Sequence, residues 1–399
     1  MPAKSPVPAI LLALAIMLGL LGAVSTTTPA VAATTYKISY NANGGTGAPA
    51  AQTAKPKVGL NLSTKVPKRA TYTFKGWATK ASAKNPQYKP GEAFFASKSI
   101  TLYAVWHLNY VALGDSYSSG EGALPDKDET QFLKDPGFGD TRACHRSALA
   151  YSGVIDRDLT LELRAFRACS GATSANVVST AQSASGAPIT SRQIDYVNDG
   201  TALITITIGG NDPQVGFSDI IKKCLSVADG CYPALPEVQA AMKKLSSPTI
   251  KKNLTSTYVT ILKKAPKAKV LVLGYPDMTP GKKADGTYKP MCGSLARGDL
   301  DGPNSDISKA LSTLTAKLNS SVSGAVKEAA KSYSGRIYFL STTSAGAPFK
   351  GHDLCSSTPY INDFVLPPRE MYSFHPNYLG QQAYAKIVST FIKDKGWAK

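Results

Sequence analysis

Beyond residue 106, short apolar runs recur between segments of helical spacing, and this pattern constrains the fold more than any other feature of the chain. Tyr110-Val-Ala-Leu113, Leu203-Ile-Thr-Ile-Thr-Ile208, Val270-Leu-Val-Leu273 and Arg336-Ile-Tyr-Phe-Leu340 are apolar at most positions, as strands buried on both faces must be. In the intervening sequence Ile307, Ala310, Leu311, Leu314 and Leu318 share one face at three- and four-residue steps, the spacing of a helix laid on a sheet. Such alternation predicts an α/β domain with a doubly wound, mostly parallel sheet over residues 108–399. Reactive groups in such sheets collect at the C-terminal ends of the strands.

Residues 36–106 read differently. Tyr36-Lys-Ile-Ser-Tyr40 and Ile100-Thr-Leu-Tyr-Ala-Val-Trp106 alternate in period 2, and Asn43-Gly44-Gly45 is a turn signal, so a small β-rich module is expected. Tyr40-Asn-Ala-Asn-Gly-Gly45, Tyr72-Thr-Phe-Lys-Gly-Trp77 and Leu102-Tyr-Ala-Val-Trp106 resemble one copy of the internalin B-type (Listeria-Bacteroides) repeat of bacterial surface proteins. Almost no linker separates this module from the strand near Leu108, which predicts attachment at that strand's N-terminal end. Before it, Lys4, an apolar run over residues 9–24 and Ala30-Val31-Ala32 have the order of a secretory signal, predicted to span residues 1–32. The apolar run is too short for a spanning helix, so a secreted, extracellular protein with no transmembrane segment in its mature form is expected.

Export places the six cysteines in an oxidising compartment, where disulfides are favoured over metal ligation. Spacing favours local pairs: Cys144 with Cys169, Cys224 with Cys231, and Cys292 with Cys355. A formal charge of +18 suits anionic partners such as acidic lipids, wall polymers or acidic polysaccharides. Nucleic acid is not expected, because the lysines are scattered singly with no Arg-rich helix and no aromatic-plus-basic motif.

Four pieces of sequence carry chemistry. Leu113-Gly114-Asp115-Ser116-Tyr117-Ser118-Ser119-Gly120 follows the first buried run, which puts Ser116 at a strand end before a helix. Cys169-Ser-Gly171-Ala-Thr-Ser-Ala-Asn176 and Ile208-Gly209-Gly210-Asn211-Asp212 supply donors of the kind an oxyanion needs, with the N–H groups of Ser116 and Gly171 and the Asn211 amide as candidates. Of the four histidines, His107 lies at the junction, and His145 and His352 read as loop residues near cysteines. His375, in Phe374-His375-Pro376 before the amphipathic stretch 378–392, is the candidate base.

These blocks, in this order, resemble the GDSL or SGNH hydrolases, whose four signature residues would here be Ser116, Gly171, Asn211 and His375. Gly-Asp-Ser-Tyr-Ser-Ser-Gly120, Ser170-Gly-Ala-Thr173 and Gly351-His-Asp-Leu-Cys355 are similar to the secreted actinobacterial lipase and esterase branch. The resemblance implies a three-layer α/β/α domain, three sequential disulfides, and an esterase or lipase acting through an acyl-enzyme without metal or organic cofactor. One position departs from the pattern: the family commonly carries Asp three residues before the histidine, and Tyr372 stands there. Asp353, Asp363 or Glu370 could approach His375 through space; the reading preferred is a backbone carbonyl, that of Ser373, as in some secreted relatives. The expected substrate is a lipid or phospholipid ester, with acyl selectivity in loops 123–142 and 277–306. Polysaccharide O-deacetylation and a non-catalytic adhesion role are the alternatives.

Overall fold

The computed structural model describes residues 34–134, 142–184, 187–213, 236–292, 304–365 and 370–398. The expected signal segment lies outside them, as do Cys224 and Cys231 and parts of both loops assigned to selectivity.

The N-terminal module contains β1 (Tyr36–Asn41), β2 (Gln52–Ala54), β3 (Leu60–Asn61), β4 (Tyr72–Ala78) and β5 (Ala93–Phe94). It shares its last strand with the larger α/β body: β6 runs unbroken from Ile100 to Gly114. The first part of β6 pairs in parallel with β1 and antiparallel with β4, the latter from Tyr72↔Leu108 to Ala78↔Tyr103. Alternate side chains of a strand share a face. Leu102, Ala104 and Trp106 therefore enter the module's core, while Leu108, Tyr110 and Ala112, continuing the same alternation, enter the larger one. The three motif blocks of the module meet inside it, with Trp77 edge-on to Tyr40 at 4.8 Å and to Phe74 at 5.0 Å, and Phe74 edge-on to Trp106 at 5.5 Å.

The second part of β6 is central to the catalytic sheet. On one edge it pairs with β7 (Leu161–Phe166) and on the other with β10 (Leu203–Thr207); β11 (Lys269–Leu273) and β12 (Ile337–Leu340) follow, all parallel. A small hairpin, β8 (Gln182–Ala184) and β9 (Ala187–Thr190), stands apart from this sheet. The helices are α1 (Ser116–Ser119), α2 (Tyr151–Asp158), α3 (Ser174–Val178), α4 (Pro236–Leu245), α5 (Pro248–Lys264), α6 (Asn304–Ser332) and α7 (Tyr378–Asp394). They form two packed groups, α2 with α7 and α3 to α6 together. The expected stripe on α6 is internal, with Ala310, Leu311, Leu314 and Leu318 buried and Ile307 partly so.

Two details differ from the sequence-based expectation. The helix after Ser116 is a single turn, so its dipole adds little to the site. Pro376 precedes the helix it was expected to open; Asn377 caps α7 instead, accepting from the Gly380 N–H at 3.1 Å. Among the described residues, Cys144 is bridged to Cys169 and Cys292 to Cys355. No helix there is long and apolar enough to cross a membrane.

Candidate active site

The loop carrying Ser116 is fixed from two sides, by the end of β10 and by the turn at Gln193. Gly114 leaves β6 at φ +128°, and a Cβ there would lie 2.4 Å from the Thr207 carbonyl oxygen, so only glycine fits. Gln193 clamps its backbone from the other side, accepting from the N–H at 2.7 Å and donating to the carbonyl at 2.8 Å. Asp115 caps the turn: its carboxylate accepts from the Tyr117 N–H at 3.1 Å, from the Thr207 hydroxyl at 2.7 Å and from the Tyr275 hydroxyl. Burial pushes the Asp115 carboxyl up to about 6, opposed by these hydrogen bonds.

The second and third blocks dock beside it. Arg167 and Cys169 donate backbone N–H groups to the carbonyls of Ala112 and Gly114, which leads the chain after β7 past the nucleophile loop. Gly171 sits exposed at φ +76°, a left-handed conformation that favours glycine. Asn211 donates from Nδ2 to the Ala172 carbonyl at 3.2 Å. Asp212, buried, accepts from the N–H and hydroxyl of Ser174 at 2.7 and 2.8 Å. The two glycine-bearing blocks are thereby held together.

His375 arrives from the far end of the chain on a loop latched to α1. The Tyr117 hydroxyl donates to the Phe374 carbonyl at 2.9 Å, and Asn362 donates from Nδ2 to the Gly122 carbonyl at 2.9 Å. The His375 Nε2 lies 2.8 Å from the Ser116 Oγ, and its Nδ1 lies 3.0 Å from the Ser373 carbonyl oxygen. A carbonyl can only accept, so Nδ1 carries the proton and Nε2 is free to accept from the serine hydroxyl. Desolvation of the half-buried ring holds its pKa below the ordinary histidine value; Glu121 and the backbone act in the opposite direction.

Of the carboxylates weighed for the third position, Asp353 and Asp363 have backbone partners, and the side chain of Glu370 lies outside the described residues. Asp353 accepts from the Cys355 N–H at 2.8 Å, and exposed Asp363 accepts from the Phe364 N–H at 2.7 Å. Tyr372 is wholly buried, packed near Phe132. His107 lies at the junction as expected, Nδ1 2.7 Å from the Leu161 carbonyl and Nε2 3.0 Å from that of Lys84. His352 stacks on Tyr360. His145 is more than a loop residue: its Nδ1 lies 2.6 Å from the carboxylate of fully buried Glu121. Sequence reasoning missed Glu121, whose one signal was a charge set between Gly120 and Gly122 immediately after the nucleophile turn. No group of three or more His, Cys, Asp or Glu is placed to hold a metal ion among the described residues.

Comparison with known proteins gives this constellation its family. The GDSL-like Lipase/Acylhydrolase family matches residues 112–383, and the Listeria-Bacteroides repeat domain matches residues 36–105. The chain belongs to the GDSL-like lipase/acylhydrolases. It is 31% identical over 301 residues to a lipase of Streptomyces rimosus, covering 74% of this chain and 91% of that protein. It is 31% identical over 274 residues to lipase 1 of Streptomyces coelicolor, covering 68% and 82%. Among solved structures, phospholipase A1 from Streptomyces albidoflavus NA297 superimposes with a TM-score of 0.52 at 28% identity, over 71% of this chain and 98% of that one. The extracellular lipase of S. rimosus gives 0.51 at 29%, with the same coverage. As a GDSL-like acylhydrolase the chain is a carboxylic ester hydrolase of the esterase/lipase kind, and a non-catalytic role is not favoured.

Proposed function

We propose that the chain hydrolyses lipid or phospholipid esters by double displacement on Ser116. The observation that carries this reading is the Ser116 Oγ 2.8 Å from the His375 Nε2, with the opposite ring nitrogen occupied by the Ser373 carbonyl. As the hydroxyl oxygen attacks the ester carbonyl carbon, His375 takes its proton. The tetrahedral intermediate expels the alcohol, which recovers that proton from His375, and an acyl-serine remains. Water then attacks, again losing a proton to His375; the acid leaves and Ser116 regains its hydrogen. The N–H groups of Ser116 and Gly171 and the amide of Asn211 hold the oxyanion. No metal or organic cofactor takes part in these steps.

The same reading divides the chain into a signal segment at 1–32, a repeat module at 36–106 and a hydrolase domain at 108–399, with secretion as its route. The lipases and the phospholipase A1 among the Streptomyces relatives support a lipid ester over a glycan ester, and an extracellular lipase among them supports export. The module carries Lys or Arg at eleven positions and a single carboxylate, Glu92, a composition that supports contact with an anionic surface.

A panel of p-nitrophenyl esters from acetyl to palmitoyl, with phospholipid and acetylated xylan alongside, tests the proposal. Wild type should turn over acyl esters and phospholipid, and Ser116→Ala should be inactive on all of them. Asp353→Asn and Asp363→Asn should keep most activity. Equal rates for wild type and Ser116→Ala would remove Ser116 as nucleophile, and a loss of about a thousandfold in either aspartate variant would replace the carbonyl with a triad acid.

A further inference from the structure

Each attack, by the serine hydroxyl and then by water, leaves His375 positively charged inside a desolvated site until the intermediate collapses, and the carbonyl of Ser373 offers it a dipole but no charge. A carboxylate stands nearby on another part of the chain. Glu121 is fully buried, and its N–H donates to the Ser116 carbonyl at 3.2 Å, so it belongs to the nucleophile turn itself. The next residue, Gly122, touches the base: a Cβ there would lie 2.9 Å from the His375 Cβ. One Glu121 oxygen, Oε2, is 2.6 Å from the His145 Nδ1, while Oε1 is buried with no hydrogen-bond partner among the described residues. Burying a carboxylate with one oxygen unpaired is costly, and the position of this one gives the cost a use.

His145 is held as firmly as the carboxylate it meets. It follows Cys144, which is bridged to Cys169, and its ring stacks on Phe132 with centroids 4.7 Å apart and planes 8° apart. Phe132 in turn lies against Tyr372, the residue standing where the family usually has its acid. We propose that Glu121 is a positioning residue for the reaction, a through-space counter-charge to the His375 imidazolium that His145 orients and, when protonated, masks. The inference rests on His375 being the base of the Ser116 reaction.

The titratable surroundings agree with that role. His375 contacts Ser116 and Tyr117 on α1, and the charges of Glu121 and His145 reach it through space. Burial lowers its pKa, Glu121 raises it, and the charge of His145 lowers it. His145 meets Glu121 and, beyond it, Glu129; burial pulls its pKa down, but the hydrogen bond and charge of Glu121 outweigh this and raise it. Below its raised pKa, His145 is a cation that cancels much of the Glu121 field. Above it, the carboxylate acts on His375 unopposed.

The test uses the full chain and p-nitrophenyl butyrate, with kcat and KM measured from pH 4.5 to 9. Glu121→Gln should lower kcat roughly tenfold with KM unchanged, as expected when the imidazolium loses a nearby counter-charge. Its acid limb should move to lower pH, because the base loses the group that raises its pKa. His145→Asn keeps an N–H donor facing Glu121 but removes the cation, so its acid limb should move to higher pH. Opposite displacements are what a merely structural role would not produce. Unchanged kcat and acid limb in Glu121→Gln, or displacement of both limbs in the same direction, overturns the proposal. If Glu121→Gln does not fold, His145→Asn decides alone, and an unmoved limb overturns it. Activity in Ser116→Ala would instead overturn the serine mechanism; an inactive Ser116→Ala beside a wild-type Glu121→Gln would overturn only the role of Glu121.

Discussion

Asp115 directly precedes Ser116 and is wholly enclosed, and among the described residues two hydroxyls and a backbone N–H, not a cation, face its carboxylate. Its folded-state pKa, about 6, is above the ordinary value of 3.8. A group raised in this way binds its proton more tightly in the folded state, so its contribution to stability is fully present below pH 3.8 and is lost as pH rises through about 6. Asp115→Asn cannot titrate. Its Tm deficit relative to wild type should therefore be larger at pH 4 than at pH 8, a comparison that differential scanning calorimetry makes directly; a constant deficit would show that Asp115 stays ionised. The loops that bring Ser116 and His375 within 2.8 Å of each other were legible in the sequence because glycines and a proline mark them at strand and helix ends. The Glu121–His145 pair was not, since a glutamate between two glycines reads as a turn and its partner lies 24 residues away.

The loop before α7 delivers His375 on a backbone paired with Asn362, whose N–H donates to the His375 carbonyl at 2.9 Å and whose carbonyl accepts from the Phe374 N–H at 3.0 Å. Phe374 adopts φ +60°, uncommon for a residue with a side chain, and the buried Tyr117 hydroxyl pins its carbonyl. Tyr117→Phe keeps the ring beside His375, with centroids 5.2 Å apart, and removes only that hydrogen bond. It should cost about 1–3 kcal/mol of stability in urea unfolding, the penalty for a buried carbonyl left unpaired. It should also lower kcat, because the imidazole loses its fixed approach to Ser116; full activity would show that Asn362 suffices as the latch. Among the strands, β10, β11 and β12 were readable as apolar runs. β7 was not, because Glu162 and Arg164 interrupt Leu161-Glu-Leu-Arg-Ala-Phe166 and give it the look of a polar segment. The length of β6 was hidden in the same way by His107 and Asn109, whose side chains bond to carbonyls of both parts of the molecule or to groups from each.

At the scale of the whole molecule, the junction between module and catalytic body is a packed interface. Beyond the pairing of β4 with β6, Lys75 meets Glu162 at 2.6 Å, the Thr73 hydroxyl donates to Asn109 at 2.6 Å, and Tyr72 packs against both cores. Removing residues 34–106 should therefore lower Tm by several degrees or more, since it uncovers one side of β6 and Leu108. The kcat for a soluble ester should survive in the folded fraction, because no described contact links residues 34–106 to Ser116 or His375. An unchanged Tm would make the module an independent passenger. The fold class was legible from the change of pattern near residue 106; the shared strand was not, because it leaves no mark beyond a missing linker.

That shared strand also sets a direction. Ile100 and Gly114 are opposite ends of β6, separated by fourteen steps of roughly 3.3 Å, or about 45 Å. The catalytic serine opens beyond one end, and the turns after β2 and before β6, with Lys55, Lys57 and Lys98, lie at the other. No hinge interrupts β6 among the described residues, so a surface meeting that far end would be held at a fixed standoff from Ser116. An immobilised molecule would then behave as an outward-facing bristle, sampling esters arriving from the medium and sparing the layer on which it stands.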